Sequence, residues 1–406
     1  MSSEGAMMRL FGLGGAGSKI ADSIAISTGG RFSTILLDTD RAELEALTHA
    51  ERLLLGENRF RGLGAGGDME AVRMEARESH ERLVSLFDGL SVAVFVLGLG
   101  GGTGVGLLPE LLKIAYEHNI RTLVFSVKPF AFEGADIQRA AGISAQRISN
   151  LGDVRFLLSN DELVGTTALE RLTLPEAFRR ATETLSAAVA LLWRMVHLPG
   201  YLNLSSAALL QILTEARGTA KLALARASGE GREDAIFSIL GANPNLGLKD
   251  RTVDIHAALV GICGGRDLLL SEIGNTMTCI GEYLQPGTPV KVSTIVDEAL
   301  TGSMEVVLFL FREWNPVVAQ EANAEPFPSP MPAPSEIPPT VPVSFTDRSS
   351  TGRITGGGRS DTTRDFLSST GKKIKGRYSE TNPIYYKTEA LDEPTWRRKR
   401  LNIDFH

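Results

Sequence analysis

The chain has 406 residues, of which 22% are charged and 43% hydrophobic, and a formal net charge of −6. That composition suits an ordinary globular protein with room for two domains, and it leaves no basic footprint for nucleic acid. Two cysteines without paired spacing and six scattered histidines exclude a disulfide scaffold and a zinc site, and point to a reducing cytoplasm.

The amino end, MSSEGAMMRLFGLGG, has no basic-then-apolar leader. No run reaches the ~20 apolar residues of a membrane span, so a soluble internal protein is expected. From Met8 to about Phe130 strand-like and helix-like stretches alternate. MMRLFGL reads as strand, GSKIADSIAIS as helix, FSTILLD as strand, and DMEAVRMEARESHERLVSLFDGL as helix. SVAVFVLGL and RTLVFSV are buried strands flanking the helix LLPELLKIAYEHN, and VRFLLSN is one more strand. Continuous apolar strands separated by helices predict a parallel sheet covered on both faces.

Residues Leu174 to His197 are predicted to form one long helix. Apolar residues recur there every three or four positions, and Pro175 sits in the first turn, where a helix tolerates it. From about Leu209 to Arg312 the pattern changes to helix and then strands, beginning with TAKLALARASG, which predicts a smaller α/β domain. After Trp314 the composition turns Pro- and then Ser/Thr/Gly/Arg-rich, so 316–382 is expected to be a disordered linker. The end recovers character in YYKTEALDEPTWRRKRLNIDF, and 383–406 reads as a docking peptide that orders on a partner.

Three glycine turns carry the chemistry. GLGGGTGVG, Gly98 to Gly106, joins a buried strand to a helix. Its glycines let backbone N–H groups approach a ligand at a helix start, and Thr103 adds a hydroxyl, a pattern that favours an anion such as phosphate over mere tight packing. GLGGAG, Gly12 to Gly17, followed by Asp38 at the end of the next strand, also fits the fingerprint of an NAD-binding domain. A dinucleotide domain has one such turn, however, and this chain adds GLGAGGD at Gly62 to Asp68. Several turns suit a triphosphate wrapped from several sides, and no GxxxxGK[ST] motif of the Walker type occurs.

Taken in order, GLGGAGS, LDTD, GLGAGGDME, GLGGGTGVG, KPFAFEG, LSNDEL and LPGYLNL resemble the bacterial tubulin homologue FtsZ, over about 8–312. The tail LDEPTWRRK is similar to that family's partner-binding carboxyl peptide. The resemblance implies an α/β fold with a Rossmann-type GTP-binding domain (8–173), a core helix and following loop (174–208) and a C-terminal α/β domain (209–315). It also implies GTP or GDP as ligand, with Mg2+ as an accompanying ion, and head-to-tail self-assembly into protofilaments. A membrane adaptor or division protein would bind 383–406, placing the protein in the cytoplasm at the division site. Carried over, Gly14, Gly15, Ala16 and Gly17, with Ser18 and Lys19 beside them, approach the α- and β-phosphates. Gly101, Gly102, Thr103 and Gly104 hold the β/γ region, and Ala65, Gly66 and Gly67 sense the γ-phosphate. Glu133 contacts the ribose, while Asn160 and Glu183 face the guanine edge.

The sequence also departs from the family. Lys19 and Asp38 stand where asparagines are usual, Glu183 replaces an aspartate, and the segment after Glu133 is short and lacks a nucleotide-facing arginine, for which Arg139 is the candidate substitute. In the loop LNLSSAALL, Asn203 is kept, but Ser205 and Ala208 occupy two positions that are acidic in the family. Neither can act as general base, so hydrolysis is expected to be weakened. The alternative is a regulatory paralogue that does not hydrolyse and copolymerises with an active one.

Overall fold

The computed structural model describes residues 8–165, 172–198, 200–243, 246 and 255–314, together with 385–386 and 389–390. The predicted linker at 316–382 lies outside the described residues, as does the docking peptide at 383–406 apart from those four positions. The chain divides into units 1–324 and 325–406. In the second unit, Tyr385–Tyr386 pairs antiparallel with Glu389–Ala390.

In the first unit the chain begins with β1 (Met8–Leu13), α1 (Gly14–Ser27), β2 (Ser33–Asp38), α2 (Arg41–Glu45), β3 (Glu51–Leu54) and α3 (Glu57–Phe60). It continues with α4 (Met69–Glu78), α5 (His80–Val84), β4 (Val92–Gly98), α6 (Gly102–Glu117), β5 (Arg121–Lys128), α7 (Ala135–Ile148), β6 (Val154–Ser159) and α8 (Asn160–Val164). After the long helix α9 (Leu174–His197) come α10 (Ser206–Glu215), β7 (Ala216–Ser228), α11 (Arg232–Ala242), β8 (Ala257–Gly264), α12 (Leu270–Tyr283), β9 (Val290–Val296) and β10 (Ser303–Trp314).

The strands form one ten-stranded sheet in the order β3-β2-β1-β4-β5-β6-β7-β10-β8-β9. From β3 to β7 neighbours are parallel; β10 runs antiparallel to both β7 and β8, and β8 and β9 are again parallel. Alternation along the strands splits the core into two layers. Leu10, Val94, Val96 and Phe125 pack towards Ile24 of α1 and Leu185, Val189 and Trp193 of α9. Phe11, Leu13, Phe95 and Leu97 pack on the other side against Val72 of α4 and Leu107, Leu108 and Leu111 of α6. Each such large side chain, fully buried, contributes about 1.5–3 kcal/mol. A third cluster, with Val306 and Leu308 against Ile236 and Ile280, serves β7–β10 under α11 and α12.

The long helix has the bounds its sequence predicts. Thr173 caps it, Pro175 sits in its first turn, and Glu176 accepts the Thr173 amide at 2.9 Å. Three expectations change. The stretch 68–90 is not one helix, because it breaks at Ser79 between α4 and α5 and then tightens into a 3-10 turn at Ser85–Phe87. TAKLALARASG, whose Ala, Leu, Lys and Arg favour helix, is strand β7, since alternate residues are buried between two neighbours. The loop after α9 ends at Ser205, and Ser206 onwards is helical.

Candidate functional site

A cleft of about 890 Å3 opens at the carboxyl ends of β1, β2, β4 and β5, where α1 and α6 begin. In an open parallel sheet this edge collects helix N-termini, whose free N–H groups attract negative charge. Gly15, Ala16 and Lys19 line it from α1; Gly66 and Gly67 from the turn before α4; and Gly101, Gly102 and Thr103 from the start of α6.

The glycines divide between two jobs. Gly14 has φ +70, and a Cβ there would lie 3.1 Å from the Gly104 nitrogen, so the first and third glycine turns touch backbone to backbone. A Cβ on Gly102 would lie 2.7 Å from the Gly67 carbonyl carbon, which locks the second turn to the third. A Cβ on Gly17 would overlap the Val96 carbonyl oxygen, and one on Gly104 would meet the Leu13 oxygen at 2.9 Å. Ser18 is buried and donates to the Gly12 oxygen at 3.4 Å. Gly14, Gly17, Ser18 and Gly104 therefore hold the cradle together from beneath, while Gly15, Ala16, Gly66, Gly67, Gly101, Gly102 and Thr103 face the cleft. Ala65 packs against the apolar layer under α6.

Charged groups surround this cradle. Asp38, 3% exposed, accepts the Thr39 amide at 2.7 Å and the Asp40 amide at 3.3 Å. Burial raises its pKa above the usual carboxylate value, and these hydrogen bonds only partly offset that. Beside it the Thr39 and Thr103 hydroxyls meet at 2.9 Å. Lys19 pairs with Glu43 at 2.7 Å, and both line the cleft. Glu133 also lines it, accepting the Phe130 amide at 2.7 Å. Asn160, the first residue of α8, reaches the cleft, as do Phe178, Arg179, Thr182 and Glu183 of α9. Phe178 packs edge-on against Phe130, with centroids 5.0 Å apart. Arg139 is not part of the wall; it pairs with Asp136 at 2.9 Å. Arg179, Glu43 and Phe178 are wall residues that the sequence reading omits, and the spacing of Arg179 four residues before Glu183 is the signal that would have found one of them.

Residues 8–168 match the Tubulin/FtsZ family, GTPase domain. The chain is 30% identical over 321 residues to the cell division protein FtsZ of Magnetospirillum gryphiswaldense, covering 79% of this chain and 56% of that one. It is 28% identical over 295 residues to the mitochondrial division protein fszB of Dictyostelium discoideum, covering 72% and 80%. In three dimensions it superposes on the empty FtsZ dimer of M. jannaschii with TM-score 0.68 at 25% identity, covering 75% of this chain and 88% of that one. The chain is a divergent member of the tubulin/FtsZ family. CetZ2 from Haloferax volcanii, a GTPγS-bound protofilament, shares the fold with TM-score 0.57 at 24% identity, covering 75% and 92%. The chain spans little more than half the length of the FtsZ proteins of M. gryphiswaldense and, at 58%, Caulobacter vibrioides.

The loop after α9 is built for rigidity. Leu202 donates its amide to the Thr294 hydroxyl at 3.0 Å and accepts the Thr294 amide at 2.8 Å, tying the loop to β9. The Asn203 carboxamide oxygen accepts the Gly200 amide at 2.6 Å, and the Ser205 hydroxyl caps α10 by accepting the Ala208 amide at 3.1 Å. None of Asn203, Ser205 and Ala208 lines the cleft of its own chain. Among the described residues no group of three or more His, Cys, Asp or Glu is placed to hold a metal ion, and no helix is long and apolar enough to cross a membrane.

Proposed function

We propose that the cleft binds GTP or GDP and that copies of this chain stack head to tail into protofilaments that serve cell division, with slow hydrolysis. The observation that carries this reading is the meeting of three glycine turns, two of them at the starts of α1 and α6, on one cleft that α9 closes with a carboxylate. Gly15 and Ala16 would approach the α- and β-phosphates, Gly101, Gly102 and Thr103 the β/γ region, and Gly66 and Gly67 the γ-phosphate. Glu133 would meet the ribose, and Asn160 and Glu183 the guanine edge, where a carboxylate accepts from N1–H and the 2-amino group. The GTPγS-bound protofilament formed by a fold neighbour supports the stacking.

A magnesium ion would fit as the nucleotide's companion, since Asp38 and Asp40 line the cleft and Mg2+ takes one or two carboxylates plus phosphate oxygens. It would supply charge neutralisation there. In a stack, the loop bearing Asn203, Ser205 and Ala208 would face the neighbour's nucleotide. Hydroxyl and methyl groups cannot take a proton from water near neutral pH, and losing a general base costs about 10²–10⁴ in rate. The same two residues favour a second reading, a non-hydrolysing regulatory subunit that copolymerises with an active relative. Trp396 and the run Arg397, Arg398, Lys399 and Arg400 would dock on a membrane adaptor or division protein.

Sedimentation with GTP, measured alongside phosphate release, tests the reading. Assembly with little release supports it, and failure to bind GTP overturns it. Deleting 383–406 should leave binding and assembly intact but abolish recruitment to the division site.

A further inference from the structure

We infer that Arg179 is a second guanine-reading residue of the cleft, contacting O6 and N7 while Glu183 takes N1–H and the 2-amino group. This rests on the proposed guanine-nucleotide site. Arg179 and Glu183 lie one turn apart on α9, both line the cleft, and Nη1 of Arg179 is 2.7 Å from Oε1 of Glu183. Their side chains are 65% and 55% exposed, so the pair is solvent-screened and opens at little cost. Opened, it presents an acceptor and a planar double donor side by side.

Guanine needs that combination. Its Watson–Crick edge offers donors at N1 and the 2-amino group beside an acceptor at O6, and N7 is a second acceptor on the adjoining edge. The Glu183 carboxylate satisfies only the donors, and Asn160, with a single NH2 group, does not span O6 and N7 together. A guanidinium fork fits O6 and N7 together. Adenine would set its 6-amino donor against Arg179 and its N1 acceptor against Glu183, a mismatch at both groups. The other cation on the cleft wall, Lys19, is held by Glu43 beside the first glycine turn, where a carboxylate oxygen lies 3.5 Å from the Cβ position of Gly15.

Two nucleotide analogues separate the two contacts. 7-Deaza-GTP lacks the N7 acceptor and reports on Arg179; ITP lacks the 2-amino group and reports on Glu183. Equilibrium binding of GTP, 7-deaza-GTP, ITP and ATP is measured on the full chain and on Arg179→Ala, Arg179→Lys and Glu183→Gln, with melting curves as the folding control. The parent should bind GTP about tenfold more tightly than 7-deaza-GTP, at the low end of what a bidentate arginine–guanine contact discriminates. Arg179→Ala should lose that discrimination and about tenfold in GTP affinity while keeping its preference for GTP over ITP; Arg179→Lys should recover only part. Glu183→Gln should show the reverse pattern. Unchanged GTP affinity and unchanged 7-deaza discrimination in Arg179→Ala would overturn the role of Arg179 and leave the guanine site standing. A parent that binds no guanine nucleotide overturns both.

Discussion

The amide of Ala208 donates to the hydroxyl of Ser205 at 3.1 Å, so the two positions that we propose stand in place of catalytic acids are the cap and the third residue of one helix, α10. Both positions accept aspartate on physical grounds. Aspartate caps a helix as well as serine does, and acid in the first turn suits the helix dipole. The double variant Ser205→Asp/Ala208→Asp should therefore fold normally and raise GTP-dependent phosphate release by about tenfold or more, read in a coupled phosphate assay. Parent turnover as fast as that of an acid-bearing relative would show that some other group activates the water. Ser205→Ala removes the cap and should cost about 1 kcal/mol in urea denaturation.

Gly101 and Gly102 are neighbours with opposite tolerances. A Cβ on Gly101 meets nothing within 4 Å, whereas one on Gly102 runs into the Gly67 backbone. Gly101→Val should keep the parent melting temperature and lose most nucleotide affinity by filling the cleft. Gly102→Val should lower both. A Gly101→Val protein that binds GTP like the parent would refute the placement of the phosphates.

Asp38 gives a pH-dependent test. Burial raises its native pKa, so its contribution to stability is favourable below the unfolded carboxylate value and is lost as pH rises through the native one. Asp38→Asn keeps an oxygen for the Thr39 and Asp40 amides and removes the charge. The variant should be more stable than the parent at pH 7, with the gain vanishing as the pH falls below about 4. Equal denaturation curves at pH 7 would count against it.

Arg232, the first residue of α11, anchors that helix to the first turn of α12. It is 6% exposed and donates to Glu272 at 2.6 and 2.7 Å and to Asp267 at 2.7 Å, holding both acids below their usual pKa values. Arg232→Met leaves the Glu272 carboxylate half of a broken buried pair and should cost about 3–5 kcal/mol at pH 7. Depressed native pKa values give stability that is present above the unfolded values and lost as pH falls through the native ones. The parent should therefore lose stability below about pH 5 more steeply than the variant, as urea midpoints across pH would report.

How far the sequence could be read depends on where each constraint lies. The bounds of α9 were legible because Thr173, Pro175 and Glu176 signal the start locally and the apolar stripe repeats throughout. β7 was not, because its Ala-, Leu- and Lys-rich residues become strand only through β6 and β10, which are distant in the chain. α7 was also missed: ADIQRAAGISAQRI buries only Ala141, Ser144 and Ile148, too few for a clear stripe. At the cleft, the glycine turns announced themselves, but which glycines face outward depends on Val96, Leu13 and Gly67, contacts that no local pattern encodes. Arg179 is announced in sequence only by its spacing four residues before Glu183, which suits a pair on a wet helix face equally well, and the fold is what turns it towards the cleft.

The sheet has one thin joint. β6 pairs with β7 at three positions, Val154–Gly218, Arg155–Thr219 and Phe156–Ala220, with Asp153 at the foot of the seam accepting the Gly218 amide at 2.9 Å and pairing with Arg217, whereas β7 and β10 run side by side from Ala216–Trp314 to Ser228–Ser303. Phe156 braces the joint by setting its ring edge against Phe309, with centroids 5.8 Å apart. Tension along a row of stacked copies would pass through each molecule as shear on those few peptide groups and on the long helix laid across them. The row would behave as a chain of stiff plates, and under load each plate would yield first at this seam, before its strands part elsewhere.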